Sequence, residues 1–201
     1  MKRHGGLGGG LNLALRDLEI RGAGNMLGAE QSGHIASVGF GLYCQLLRRT
    51  VARLKGEKPP PLVDVELTLD FITLSPGVLG EDSSCIPYSY IEDDSLRMNF
   101  HRRIAAAVTV AEIRDLRGEL AERFGPEPAE VKRMLRMAEM RILAAAAGVT
   151  RIEVKDDVAR LYMRNGEPYL LKNGKLPRIS GRNPDAKLTS LFRVLGGLTA
   201  K

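Results

Sequence analysis

The chain has 201 residues, of which 44% are hydrophobic, 27% charged and 5% aromatic. This composition is typical of a globular protein that forms one domain with an appendage, or two small domains. It has no apolar run of the ~20 residues that a membrane helix needs and no signal-peptide pattern, so we expect a cytoplasmic protein with no membrane partner. The two cysteines, Cys44 and Cys85, are expected to be reduced. The three histidines lack metal-ligand spacing, so no metal site is predicted.

The net charge of +6 is distributed unevenly along the chain. Nine Lys and Arg stand against four Asp and Glu in residues 1–61, one against eight in 62–100, and twenty against twelve in 101–201. The basic ends suit a phosphate backbone or an acidic protein partner. The acidic middle argues against a surface that wraps DNA uniformly, and a solvated surface of mixed charge explains the pattern equally well.

Residues 17–34, DLEIRGAGNMLGAEQSGH, are the most informative segment. The preceding stretch 13–20 fits either a helix or a strand. Glycine loses more conformational freedom on folding than other residues, so four glycines in twelve positions indicate positive φ or the close approach of another chain. Among them, Arg21 and Gln31 carry groups suited to grasping a phosphate, a carboxylate or a backbone. A helix then starts at Ser32 or Gly33 and ends at Gly56.

Residues 57–61, Glu-Lys-Pro-Pro-Pro, predict a stiff linker and the best domain boundary of the chain. We therefore predict a first unit, 1–61, with the motif and the linker helix, and a second unit, 62–201. Alternating apolar residues predict a strand over 63–70, followed by a turn at 75–77 and a short strand over 86–91.

Three helices are predicted next, over 95–108, 110–124 and 128–147. Gly125 with Pro126 ends the second, and Gly148 ends the third. The core face of the third is expected to be widened by a methionine stripe, and it comprises Val131, Leu135, Ala138, Ile142 and Ala145, with Met134, Met137 and Met140.

The remaining chain is predicted to be β-rich until a last helix that starts at Asn183-Pro184-Asp185. Turn signals at Asp156-Asp157, Asn165-Gly166 and Asn173-Gly174 separate candidate strands over 151–155, 158–164, 169–172 and 175–179, which favours an antiparallel meander. The predicted fold class is α+β: a helical hairpin-like motif and long helix, then a compact α+β domain with antiparallel strands.

Two features of the sequence resemble a known family. The segment DLEIRGAGNMLGAEQSGH resembles the motif that follows the helicase core in bacterial transcription-repair coupling factors and in RecG-type branch-migration helicases. Gly39-Phe40, Leu42-Tyr43 with Gln45-Leu-Leu47, and Arg123-Phe-Gly-Pro126 with its long helix are similar to the first family. The chain also runs on for well over a hundred residues after the motif, where a branch-migration helicase would end soon.

The resemblance implies a C-terminal piece of an ATP-dependent translocase on double-stranded DNA, which displaces stalled RNA polymerase and recruits the excision-repair protein UvrA. Residues 62–201 would dock on the protein's own N-terminal UvrA-binding module and inhibit it. Arg21 and Gln31 would couple ATP hydrolysis to translocation, with a supporting motif of Asp17, Glu19, Gly22, Gly24, Gly28, Glu30, Ser32 and Gly33. Glu30 and Ser32 equally suit the start of the following helix.

The chain has no phosphate-binding loop of the Gly-x-x-x-x-Gly-Lys-Ser/Thr type and no catalytic triad spacing, so we expect no enzymatic activity from it alone. ATP and Mg²⁺ are expected to bind lobes upstream of Met1, and no cofactor is expected here. Two alternatives stay open: the tail of a branch-migration helicase, and a free-standing adaptor for nucleic acid or RNA polymerase. Only ten aromatic residues and no tryptophan argue against single-strand readout by the adaptor.

Overall fold

The computed structural model describes residues 42, 45–46, 48–73, 80 and 82–199. The site residues predicted between Asp17 and Gly33 lie outside this part, as do Cys44 and the turn predicted at 75–77. The described elements are part of a helix, α1 (residues 42, 45–46 and 48–54), then β1 (Glu66–Leu69), α2 (Asp94–Ala106), α3 (Val110–Phe124), α4 (Ala129–Ala146), β2 (Val149–Lys155), β3 (Val158–Met163) and α5 (Pro184–Thr199). Helices and strands thus combine in the predicted α+β class. None of the described helices is long and apolar enough to cross a membrane.

The helix boundaries follow from local capping. Thr109 Oγ1 accepts a hydrogen bond from Glu112 N (3.2 Å), and Glu112 Oε2 accepts from Thr109 N (3.1 Å), which completes a capping box at the start of α3. Gly125, with a φ of 83°, ends that helix. Asn183 Oδ1 accepts from Ala186 N (2.8 Å) at the start of α5. The helices predicted over 95–108, 110–124, 128–147 and from Asn183 onward are confirmed.

Helix α4 is buried on two sides and joins two cores. Its predicted face (Val131, Leu135, Ala138 and Ile142) packs with α2 and α3 in a helical core, against which Ala145 and Met134 also pack. Met137 and Met140 face the other way, into a core formed with the sheet and α5. The predicted methionine stripe is therefore core, as expected of a flexible side chain that fills irregular gaps.

The sheet has three strands in the order β1-β2-β3. Strand β1 pairs parallel to β2, whereas β2 and β3 form an antiparallel hairpin. The hairpin turns at Asp156 and Asp157, with φ values of 51° and 62°, as a tight turn between twisted strands requires. Asp70 Oδ2 accepts from Asp156 N (2.8 Å), and Asp157 pairs with Lys187 (2.7 Å), so β1 and α5 both hold the turn.

Three of the predicted strands are wrong. Residues 86–91 form a turn, because Tyr90 N and Ile91 N both donate to Pro87 O (3.0 and 3.2 Å). Residues 169–172 and 175–179 contribute no strand. Their pairing with β3 is limited to isolated bridges at Pro168 and Arg178, where Tyr169 N donates to Leu161 O (2.8 Å) and Ala159 N donates to Pro177 O (2.9 Å). Proline lacks the N–H that a longer ladder needs. The predicted meander is thus a single hairpin. The thiol of Cys85 is buried and free, as predicted, and burial raises its pKa.

The proline segment is bridged by α1. The side chain of Gln45 exchanges two hydrogen bonds with the backbone of Val63 (2.8 and 3.2 Å), and Arg48 lies 3.4 Å from Glu112 of α3. Both cores draw their buried residues from 63–195. The boundary near Pro61 therefore stays a prediction, and a cut there removes contacts that the second unit uses.

A chain that starts at Leu62 should fold cooperatively but less stably than the full chain. Loss of Gln45 replaces its two hydrogen bonds to the backbone of Val63 by bonds to water, and each intramolecular bond of this kind contributes about 0.5–1.5 kcal/mol net. Urea denaturation measures the difference, with a chain that starts at Leu42 as the control that keeps α1. A chain from Leu62 without a cooperative transition would show that the boundary is wrong.

Candidate docking surface

The predicted coupling residues Arg21 and Gln31 lie outside the described residues, so their mutual geometry stays a prediction. Within the part of the chain that the structure describes, no group of three His, Cys, Asp or Glu side chains could hold a metal ion. A network of charged side chains on the described surface joins α2 to α3, and we name it the arginine triad: Arg103, Glu119 and Arg123.

Local helix physics explains the two arginines. Arg103 lies in the last turn of α2 and Arg123 in the last turn of α3. Unsatisfied carbonyl groups concentrate negative partial charge at such helix ends, so cationic side chains stabilise them. Stabilisation of the helix ends alone would explain why arginine occurs at both positions. It does not require the hydrogen bonds that link the two arginines through Glu119.

Glu119 holds both arginines. Arg103 donates two hydrogen bonds to its carboxylate, from Nη1 to Oε1 (3.0 Å) and from Nη2 to Oε2 (2.5 Å). Arg123 Nη1 donates to the same Oε1 (3.0 Å). The bidentate fork fixes Arg103 in direction as well as in distance. The triad therefore holds two guanidinium groups at a defined separation, with one carboxylate for two positive charges.

Aromatic rings lie beneath the guanidinium groups. Arg103 and Arg123 lie 5.2 and 5.6 Å from the centroid of Phe100, and Arg123 lies 5.2 Å from that of Phe124. Phe100 is completely buried and meets Phe124 edge to face, with centroids 5.9 Å apart. Cations are attracted to the negative faces of such rings. The rings restrict the arginines without using their N–H donors, which leaves those donors for a partner.

Further contacts fix the end of α3. The hydroxyl of Tyr90 donates to the carbonyl oxygens of Leu120 (3.2 Å) and Gly125 (2.9 Å), and its ring packs 5.8 Å from that of Phe124. Burial, and then the nearby charge of Glu127, raises the pKa of Tyr90, so the hydroxyl stays protonated and continues to donate. Tyr90 thus fixes the C-terminal end of α3, on which Arg123 lies, by its hydroxyl and by its ring.

The triad remains accessible to a partner. The side chains of Arg103 and Arg123 are 42% and 43% exposed, and that of Glu119 is 32% exposed. The hydrogen bonds from Arg103, and then from Arg123, lower the pKa of the Glu119 carboxyl, so the ion pairs weaken as pH falls through that lowered value. Two exposed guanidinium groups with one carboxylate between them keep a net positive charge and N–H donors beyond those that Glu119 engages, so they are suited to bind a partner's carboxylate groups.

The sequence analysis missed this surface. Glu119 and Arg123 lie at positions i and i+4 of a helix that was predicted with its correct bounds, so their pairing was visible in the sequence. The contribution of Arg103 was not, because sixteen residues and a helix crossing separate it from Glu119. Only the packing of α2 on α3 brings the two together.

Comparison with known proteins assigns the chain to a protein family. Residues 82–173 match the TRCF domain. The transcription-repair-coupling factor of Haemophilus influenzae is 42% identical over 148 residues, which are 73% of this chain and 12% of that protein. Those of Staphylococcus haemolyticus and Myxococcus xanthus are 39% and 37% identical over 74% of this chain, again 12% of each protein. The chain spans about an eighth of the length of these relatives.

A solved structure described as the C-terminal domain of transcription-repair coupling factor is also similar. It is 22% identical, with a TM-score of 0.43, and the match covers 50% of this chain and 56% of that one. The sequence relatives carry the assignment. Over about three quarters of its length the chain belongs with the transcription-repair-coupling factors, and residues 82–173 are its TRCF domain.

Proposed function

We propose that this chain is a C-terminal portion of an ATP-dependent translocase on double-stranded DNA that displaces stalled RNA polymerase and recruits UvrA. In this proposal residues 17–34 couple ATP hydrolysis in upstream lobes to movement along the duplex. The motif sequence and the similarity to transcription-repair-coupling factors support this part. No phosphate-binding loop occurs in the sequence, so the hydrolysis itself belongs to lobes outside this chain.

The second part of the proposal is that residues 62–201 dock on the protein's own N-terminal UvrA-binding module and keep UvrA from it. The arginine triad is the observation that carries this part. Its two guanidinium groups are exposed, aligned by Glu119 and supported by Phe100, so little side-chain freedom is lost when they bind.

Removal of the docking surface in the whole protein should raise the affinity for UvrA. A closed domain reduces the competent fraction, so if nine tenths of the molecules are closed, opening them raises the apparent affinity about tenfold. We expect this gain on deletion of residues 62–201. We expect most of it in the double variant Arg103→Gln with Arg123→Gln, which removes the positive charge at little cost in stability, since exposed ion pairs contribute about 0–1 kcal/mol.

A matched control is available on the same helix. Arg114 is exposed and lies nine residues before Arg123, about two and a half turns along α3 and so on the opposite side. The variant Arg114→Gln should leave UvrA affinity unchanged. Binding is measured by titration with fluorescently labelled UvrA, and the melting temperature of each preparation is recorded. Equal UvrA affinity with and without residues 62–201 refutes masking. A gain on deletion that the double variant does not reproduce moves the docking surface elsewhere on the domain.

A further inference from the structure

The contact of α1 with the second unit is built around a buried amide. Gln45 is 1% exposed, and its side chain bonds both backbone groups of one residue: Val63 N donates to Oε1 (2.8 Å), and Nε2 donates to Val63 O (3.2 Å). This is the exchange that a neighbouring β-strand would make with Val63. Among the side chains that are neutral at pH 7, those of Gln and Asn offer a donor and an acceptor side by side in this way.

The chain between Gln45 and Val63 has little freedom. Helix α1 stops at Gly56, with a φ of 73°, where Gly56 N donates to Arg53 O (3.0 Å) and Glu57 N to Ala52 O (2.9 Å). These two bonds are the Schellman pattern that fixes the exit direction of a helix. Three consecutive prolines follow, and such a run is semi-rigid because each ring fixes φ.

Two arginines of α1, Arg48 and Arg49, add further contacts to the linker and to the second unit. Arg49 donates to the carbonyl oxygen of Pro60, within the proline run itself. Arg48 pairs with Glu112 (3.4 Å), whose other oxygen accepts from Val108 N (2.7 Å) and from Thr109 N (3.1 Å). The helix therefore contacts its own linker and the start of α3. Ala52 is buried on the same side of α1, whereas Leu46 and Leu54 are exposed.

We propose that Gln45 is a positioning residue that locks α1 to the second unit, so that the two form one rigid body across the proline segment. The proposal rests on the proposed function for its consequence: a movement of the motif at 17–34 is transmitted to the terminal domain rather than absorbed at the linker. A flexible tether would instead leave a closed domain indifferent to the nucleotide state of the motor.

The lock is tested in the 201-residue chain by the distance between spin labels on α1 and α3. Labels are placed at Leu54→Cys and Arg114→Cys, both exposed positions, in a background with Cys44→Ser and Cys85→Ala. The labelled chain that keeps Gln45 should give one narrow distribution of label-to-label distances at pH 5 and at pH 8. Gln45→Met keeps the side-chain length but neither hydrogen bond, and it should broaden the distribution at least twofold at both pH values. Arg53→Met, an exposed change on the same helix, is the control and should leave it narrow.

Gln45→Glu separates a positioning role from a general loss of stability. A protonated carboxyl donates and accepts side by side like an amide, whereas a carboxylate only accepts and repels the Val63 carbonyl. Burial raises the pKa of a carboxyl at this position, so the lock is present at low pH and is lost as pH rises through that raised value. This variant should therefore give a narrow distribution at pH 5 and a broad one at pH 8. Distributions that are equally narrow at both pH values, or a narrow distribution in Gln45→Met, would overturn the lock.

The test does not depend on the proposed function, because it uses neither ATP nor DNA nor UvrA. If Gln45→Met does not fold, the comparison of Gln45→Glu at two pH values still tests the lock, because both measurements are made on the same protein. In the whole protein, the affinity for UvrA should change with bound nucleotide, and Gln45→Met should abolish that change. If the unsubstituted whole protein shows no such change while the distances remain narrow, the proposed function fails and the lock stands.

Discussion

Replacing Arg21 or Gln31 by alanine in the whole protein should abolish translocation on duplex DNA while ATP binding is retained. The glycines at 22 and 24 leave the backbone around Arg21 without side chains, so the guanidinium group and the Gln31 amide can converge on one site. A charge-assisted or bidentate hydrogen bond there would change with nucleotide state. Displacement of a triplex-forming strand and of a stalled RNA polymerase measures translocation, and we expect both to be lost.

The melting temperature of the same preparations distinguishes a coupling role of Arg21 and Gln31 from a structural one. The glycines around Arg21 predict an exposed turn, and a polar residue on such a turn changes stability by no more than about 0.5 kcal/mol, so we expect both variants to melt like the parent protein. Arg16→Ala, five residues earlier and outside the glycine-rich turn, is the control and should translocate normally. Normal displacement in Arg21→Ala would end the coupling hypothesis. Lost displacement together with a collapsed melting temperature would make these residues structural.

Local signals in the sequence were sufficient for the helices. The capping box at Thr109 and Glu112 and the glycine stop at Gly125 are readable within one turn of the chain, and α3 has the predicted bounds. The turn at Asp156-Asp157 is equally local. These elements could be predicted because their determinants lie within the segment that they shape.

Contacts between distant segments were not predictable in this way. The pairing of β1 with β2 joins residues about 85 positions apart and is parallel, which no local pattern indicates. Residues 175–179 follow a turn signal and were predicted as a strand, yet Pro177 precedes Arg178, which makes only an isolated bridge to Val158. The arginine triad has the same limitation, since Glu119 with Arg123 is local and Arg103 is not. The sequence analysis therefore predicted no part of the triad, although the pair of Glu119 and Arg123 lies within the reach of local reasoning.

Phe100→Ala should cause the largest loss of stability among these variants. The ring is completely buried in the helical core between α2 and α3 and packs edge to face on Phe124. Truncation of a buried phenylalanine to alanine costs about 3–5 kcal/mol, because it removes apolar contacts and leaves a cavity. A typical domain has only about 5–15 kcal/mol of stability in total. Urea denaturation of the 201-residue chain measures the loss, with Tyr88→Ala at an exposed aromatic position as the control.

Phe100→Leu distinguishes the core role of this ring from its role beneath the triad. Leucine retains much of the apolar bulk, so we expect a loss of stability well below that of the alanine variant, of the order of 1.5 kcal/mol. It has no aromatic face, however, and the attraction that aligns Arg103 and Arg123 over the ring is removed, a term of about 0.5–1 kcal/mol for each exposed cation. If the triad docks because its arginines are held in place, Phe100→Leu in the whole protein should raise UvrA affinity, as Arg103→Gln with Arg123→Gln does. Its melting temperature should stay above that of Phe100→Ala. Unchanged UvrA affinity in Phe100→Leu, alongside a gain in the double arginine variant, would show that docking uses the charge of the arginines and not their alignment by the ring.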